Sequence, residues 1–243
     1  MEKFDGTTLE IFQNIVKNKG IKSTGRRFSK TIKEFSLTLH YYSPKAYEYA
    51  RSVLILPSSK SIMNWTSLIN AEPGIFSEVM ECLKTLSPED KHCNLCLDAM
   101  SLRKQILWSD KFNKFIGYCD FGGQLQLEGT DTPATEALFF MLVSLNGKWK
   151  LSIAYVLQNK TTAVAQAELV KSILHHTHNV GLTVWGITCD GAYTNIAMMK
   201  ILGCVIGNSY NEIKSWFLHP ISNDKVYFIP DACHNLKLAR NTL

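Results

Sequence analysis

The stretch Thr188-Cys-Asp-Gly-Ala-Tyr-Thr-Asn195 decides how this chain is read. It follows the apolar run Gly181-Leu-Thr-Val-Trp-Gly-Ile187, which has the length and texture of a buried strand. Asp190 therefore falls where a hydrophobic strand ends, and Gly191 supplies room for a sharp turn. A second aspartate, Asp98, lies within another apolar run, Leu95-Cys-Leu-Asp-Ala-Met100. A carboxylate in a buried strand is costly unless it is paired or holds a metal. Two such carboxylates on different strands can converge on divalent cations, an arrangement suited to phosphodiester chemistry.

Around these two strands the pattern predicts a mixed sheet. Strands are expected at 93–100, 115–119, 137–145 and 149–157, the last two joined through the turn dipeptide Asn146-Gly147. A helix over 162–180, a strand over 182–189, a helix over 194–202, a short strand over 226–229 and a helix from Asp231 complete the order. Hairpin-linked strands passing into alternating helices and strands give an antiparallel meander that continues as a parallel section, an α/β fold. In that topology the 93–100 strand is central and the 182–189 strand lies parallel beside it. Asp98 and Asp190 are then the candidate catalytic pair, with Mg²⁺ or Mn²⁺ relieving their mutual repulsion. Taken singly, Asp-Gly is an ordinary turn dipeptide and Asp98 could face solvent.

The N-terminal third has a different texture. Residues 7–18 place Leu9, Phe12, Ile15 and Val16 on one helical face, and Gly20 ends the helix. Ser29 and Ser43-Pro44 are helix start signals, and Leu56-Pro57-Ser58-Ser59 separates them from a third helix, 60–70, carrying Ile62, Trp65 and Leu68. Three short helices with brief turns suit a helix-turn-helix whose recognition element is 60–70, although any small bundle shows the same period. From Lys17 to Asn70 there are ten Lys or Arg against two acids, a net of +8 that leaves −3 for the rest of a chain whose total is +5. A basic third beside a slightly acidic remainder points to a polyanion, and Arg26, Arg27, Lys30, Lys33 and Lys60 are the candidate DNA contacts. The expected division is 1–22 as helix and linker, 23–90 as helix-turn-helix with a connecting helix over 75–86, and 91–243 as the sheet domain.

Composition bounds the rest. With 243 residues, 46% hydrophobic and 19% charged, the chain can build a sizeable core. It has no apolar run long enough for a transmembrane helix and no signal-peptide core at Met1, so no membrane partner is expected. Seven irregularly spaced cysteines read as reduced thiols of an intracellular protein. Cys93 and Cys96 have zinc-like spacing but lack a second ligand pair, and in a strand they point to opposite faces, so they read as core residues. His175, His176 and His178 read as a surface cluster at a helix end. In Pro230-Asp-Ala-Cys-His-Asn-Leu-Lys-Leu-Ala-Arg-Asn241, Asp231 caps a helix. Its Lys237 and Arg240 suit either a phosphate backbone or the helix C-terminus.

Six segments, in the same order, resemble the P element-type transposases over residues 25–243. They are Gly25-Arg-Arg-Phe-Ser29; Phe35–His40 with Tyr42–Tyr49; Leu97-Asp-Ala-Met-Ser-Leu-Arg103; Phe115-Ile-Gly-Tyr-Cys-Asp120; Thr188–Ala192 with Asn195; and Pro230–Asn241. The resemblance implies a helix-turn-helix region followed by an RNase H-like domain, incomplete in this chain. It also implies a site in which two aspartates and a glutamate bind Mg²⁺ and drive DNA cleavage and strand transfer in the nucleus. Asp98 matches the first acid and Asp190 the second. The glutamate follows an inserted GTP-binding domain in the family, so neither it nor a GTP site is assigned here, and the zinc-binding DNA-reading domain of relatives is not represented. Ala99 stands where relatives often carry a glutamate, and Ala232-Cys233 replaces a proline-containing version of the motif. Weak metal binding, no strand transfer by this chain alone, DNA as partner and a possible homo-oligomer are the resulting expectations. The alternative is a transposase-derived, non-enzymatic DNA-binding or assembly protein.

Overall fold

The computed structural model describes residues 6–66, 71–123, 131–207 and 209–242. Contacts divide the chain into two compact units, Met1–Asn70 and Ala71–Leu243.

The first unit is helical: α1 (Gly6–Asn18), α2 (Lys30–Tyr42), α3 (Pro44–Val53) and α4 (Ser59–Thr66). The start signals act as the sequence implies. Ser29 Oγ accepts from Ile32 N–H at 3.3 Å and Ser43 Oγ from Ala46 N–H at 3.2 Å, with Pro44 in the first turn of α3. Ile32, Tyr47, Leu56 and Ile62 form the core, flanked by Phe35, Leu39 and Trp65. Tyr47 is fully buried, and its hydroxyl donates to Pro57 O at 2.6 Å, so the aromatic body and its polar tip are both accommodated. Leu68 and the remainder of the expected recognition helix lie outside the described residues.

Helix α1 is oriented differently from its pattern. Leu9, Phe12 and Val16 are exposed, and Asn14 and Asn18 are buried. The reason is hydrogen bonding. Asn14 Nδ2 donates to Ile55 O at 2.6 Å, while Asn18 donates to Arg27 O and accepts from Arg27 N–H. The two amides satisfy backbone groups of the loops before α2 and α4, which an apolar side chain could not do.

The second unit comprises β1 (Gly74–Ile75), α5 (Ser77–Lys84), β2 (His92–Ser101), β3 (Leu107–Ser109), β4 (Lys114–Ile116), β5 (Glu136–Ser144), β6 (Lys150–Gln158), α6 (Ala163–Asn179), β7 (Thr183–Cys189), α7 (Tyr193–Leu202), β8 (Trp216–Leu218), β9 (Lys225–Pro230) and α8 (Ala232–Thr242). The main sheet runs β1-β6-β5-β2-β7-β9-β8. Strands β2, β5 and β6 form the antiparallel meander, and β7 and β9 join as parallel neighbours. This is the expected mixed α/β architecture, with β2 central. Its core gathers Leu95, Leu97, Leu138, Phe140 and Ile153 from the meander with Val170, Leu174 and Met198 from α6 and α7.

Three details differ from the sequence reading. The connecting helix is shorter, and Met80 and Leu83 of α5 join the core of the sheet, so residues 71–90 group with the second unit. The strand expected over 115–119 is absent from the main sheet. Its first residues form a separate hairpin with β3, and Gly117 at φ 103° ends that pairing. Edge strand β8, only three residues long, was not anticipated.

Candidate functional site

The site is built at the C-terminal ends of adjacent parallel strands. In β2, Cys93, Leu95 and Leu97 are buried, so period-2 alternation places Asn94, Cys96 and Asp98 on the opposite face. Asp98 lies past the last residue of β2 that pairs with β7, and it is exposed. The burial expected for it does not occur, so desolvation is not what makes this carboxylate notable.

The position of Asp190 depends on an irregularity. Cys93 pairs with Val184, but Asn94 pairs with Gly186, so Trp185 is one extra residue in β7. Strict alternation from buried Val184 would send residue 190 into the core. The extra residue resets the parity. Ile187 and Cys189 then face inward, while Thr188 and Asp190 share the face of Cys96 and Asp98. Gly186 permits the close approach, because a Cβ there would lie 2.7 Å from Asn94 Oδ1 and 3.1 Å from Tyr227 O. Gly191, by contrast, is not in the left-handed region and has open space around it, so the turn after Asp190 does not depend on glycine.

Asp98, Asp190 and a third acid, Asp231, line one concavity of about 350 Å³ with Phe139, Met141 and Ser152. Asp231 follows β9, whose Pro230 pairs with Cys189, and its N–H donates to Cys189 O at 3.0 Å. The sequence reading took Asp231 only as a helix cap. It does cap α8, accepting from Cys233 N–H at 2.9 Å, with His234 Nδ1 3.8 Å from its other oxygen. The available signal was its place one residue beyond a strand parallel to β7. Asp190 Oδ1 accepts from Ala192 N–H at 3.0 Å and from Asn195 Nδ2 at 2.5 Å, which fixes the carboxylate at the entrance to α7. Asp98 Oδ1 accepts from Ala99 N–H at 2.9 Å. The Oδ2 atoms of Asp98 and Asp190 have no protein partner among the described residues. Cys189 is no ligand candidate: burial, and then the charge of Asp190, push its thiol up to about 12.

These donors are hard oxygens of the kind that Mg²⁺ and Mn²⁺ take together with water and substrate phosphates, so the residues fit such an ion. Among the described residues, no three His, Cys, Asp or Glu side chains form a ready cage.

The basic candidates are mostly at the surface. Arg27, Lys30, Lys33 and Lys60 are exposed, Lys30 sits 3.8 Å from Glu34, and Lys33 lies over the Trp65 ring. Arg26 is half-buried and its Nε donates to Ile21 O, which leaves it less available. Lys237 and Arg240 are exposed on α8, with Arg240 donating to Asn241 Oδ1. The Cys93 thiol is buried and Cys96 half-buried on the other face, as their spacing in a strand requires. His178 is packed against buried His219 at 5.4 Å, so the histidine group is not wholly superficial.

A mixed sheet with this strand order and acids at the ends of adjacent parallel strands is an RNase H-like arrangement. Residues 1–65 match the Transposable element P transposase-like, HTH domain, and residues 71–203 match the TNP-like, RNase H N-terminal domain. The chain belongs to the P element-type transposase family. Human DNA transposase THAP9 is 31% identical over 221 residues, covering 88% of this chain and 24% of that protein. The chain thus spans about a quarter of the length of this relative. The Drosophila P element transposase strand transfer complex superposes with a TM-score of 0.73 at 22% identity, over 96% of this chain and 47% of that one, a likeness of fold.

Proposed function

We propose that this chain supplies duplex-DNA binding and part of a divalent-cation site to a transposase-type DNA cleavage and strand-transfer machinery. On this reading it works in the nucleus, where its substrate is. The observation that carries the proposal is the shared concavity of Asp98 and Asp190, produced by the bulge that turns Asp190 to the face of Asp98. Asp98 and Asp190 would hold the ion, and Asn195, which donates to Asp190 Oδ1, would orient that carboxylate. Asp231 lines the same concavity, with its carboxylate turned to Cys233 N–H and His234. The chemistry such an ion would supply here is polarisation of a phosphodiester and activation of water. Two carboxylates without a ready cage among the described residues would bind such an ion weakly, and DNA phosphate would strengthen the binding.

The test is Mn²⁺ binding by the whole chain, with and without duplex DNA, alongside a nuclease assay. Asp190→Asn should abolish binding, and Asn195→Ala should weaken it roughly tenfold, the usual effect of removing an orienting partner. Equal Mn²⁺ affinity in the wild type and Asp190→Asn refutes the metal site.

A second reading, non-enzymatic DNA binding and assembly, draws on α1. Its exposed Leu9, Phe12 and Val16 recur at the spacing of a helix-packing stripe, which suits self-association.

A further inference from the structure

The β3–β4 hairpin exposes more apolar surface than a solvated loop requires. Phe115 is 60% exposed and Trp108 49%, and the two rings pack edge to face at 5.1 Å across the strands. Phe112 at the turn is also exposed, with Lys111 and Lys114 over its ring. The segment 103–116 carries Arg103, Lys104, Lys111 and Lys114 against a single acid, Asp110. Arg103 and Lys104 are exposed and have no ion partner among the described residues. Aromatic faces beside cations are the means by which proteins hold unpaired nucleotides: bases stack on the rings while phosphates meet the charges.

Beside the hairpin lies a cavity of about 350 Å³ walled by Phe112, Phe115, Tyr118 and Tyr155. Charge decides which part of a nucleotide could enter it. Glu72, Asp120 and one cation, Lys114, also line it; Glu72 holds Lys114 at 2.8 Å, so a negative balance disfavours a phosphate inside and an uncharged base is accepted. Position decides which nucleic acid would arrive. Ser101 at the end of β2 pairs with Glu136, Glu136 with Gln158, and Leu157 bridges Asp120, so this cavity and Asp98 share one end of the sheet.

We propose that the β3–β4 hairpin and its adjoining cavity bind an unpaired nucleotide of a DNA strand lying along the carboxylate end of the sheet. The base stacks on Trp108, Phe112 and Phe115, and Arg103 and Lys104 hold the adjacent phosphates. This inference rests on the reading of the chain as a DNA-binding protein.

The experiment compares binding of the whole chain to a duplex carrying a short single-stranded tail with binding to the same duplex blunt-ended, by fluorescence anisotropy at fixed salt. The tail should strengthen binding. Trp108→Ala with Phe115→Ala should remove roughly tenfold of the affinity for the tailed duplex while leaving the blunt one unchanged, and Trp108→Phe should keep the preference. In the wild type, a tail containing 5-iodouracil should photocrosslink to Trp108, Phe112 or Phe115, a readout that needs no variant to fold. Blunt binding with no gain from the tail, equal losses for both duplexes, or crosslinks confined to other segments overturns the inference alone. Binding to neither oligonucleotide overturns it together with the reading beneath it.

Discussion

At the scale of single residues, position matters more than burial. Asp190 was legible because an aspartate ends an apolar run, and the structure puts it at a strand end with Asn195 and Ala192 N–H on one oxygen. Asp98 was legible for a reason that does not hold, since it is exposed rather than buried. Its face follows from alternation, and alternation is readable, but how far a strand end projects beyond its neighbours is not. His219 was not singled out at all. It is buried, its Nδ1 is placed to accept from Ile221 and Ser222 N–H, and burial, then the adjacent His178, lower its pKa below the usual imidazole value. The folded state therefore resists a proton that the unfolded chain takes up at about pH 6.5. The stability owed to neutral His219 is complete above that pH and is lost as pH falls from there through the lowered folded-state pKa. Chemical denaturation followed between pH 7.5 and 5 should show this acid loss, and His219→Asn, which keeps an acceptor for the two N–H groups but cannot titrate, should flatten it. An unchanged pH profile in that variant would remove His219 from the account.

At the scale of elements, the local signals worked where the physics is local. Ser29, Ser43-Pro44 and Thr162 start their helices because each hydroxyl accepts a backbone N–H that the helix leaves open. The outward stripe of α1 and the detachment of β3–β4 were not legible, because both depend on partners distant in sequence. Asn14 and Asn18 turn α1 over by bonding Ile55 and Arg27, and no window along α1 contains those residues. The bulge in β7 is the clearest case. Nothing in Gly181–Ile187 says that Trp185 is supernumerary until Cys93 and Asn94 are laid against it. Gly186→Ala tests this element directly. The added methyl meets Asn94 Oδ1 at 2.7 Å and the backbone oxygen of Tyr227 at 3.1 Å, so the Asn94 side chain must move and the β7–β9 pairing must give slightly. A loss of about 1–3 kcal/mol is expected from overpacking of this kind. Mn²⁺ affinity should fall as well, since Asp190 is carried by the same strand. Normal stability with normal Mn²⁺ binding in Gly186→Ala would show that the parity shift does not depend on this close contact.

At the scale of the whole molecule, two units carry two kinds of charge. The basic surplus between Lys17 and Asn70 lies within the helical unit, while Asp98, Asp190 and Asp231 line one concavity of the other. On the proposed reading, such a division would assign the polyanion to the helical unit and the divalent cation to the sheet unit. It also makes a quantitative demand. If the helical unit grips the phosphate backbone, each cation in contact releases counterions, and log K falls with log salt by about 0.9 for every phosphate neutralised. Arg27, Lys30 and Lys60 are exposed, and only Lys30 has an acid near it, at a distance and exposure where an ion pair contributes little. Replacing these three with Gln should lower the slope of duplex binding by about 0.9 each and weaken all sequences alike. Replacing Arg26, whose Nε is already engaged by Ile21 O, should change the slope less and disturb the loop before α2 more. Anisotropy titrations across a salt series separate the two effects, because a lost phosphate contact changes the slope and a damaged fold changes the melting curve. An unaltered slope in the triple variant would move the phosphate grip to other cations, with Lys237 and Arg240 on α8 the next to be replaced.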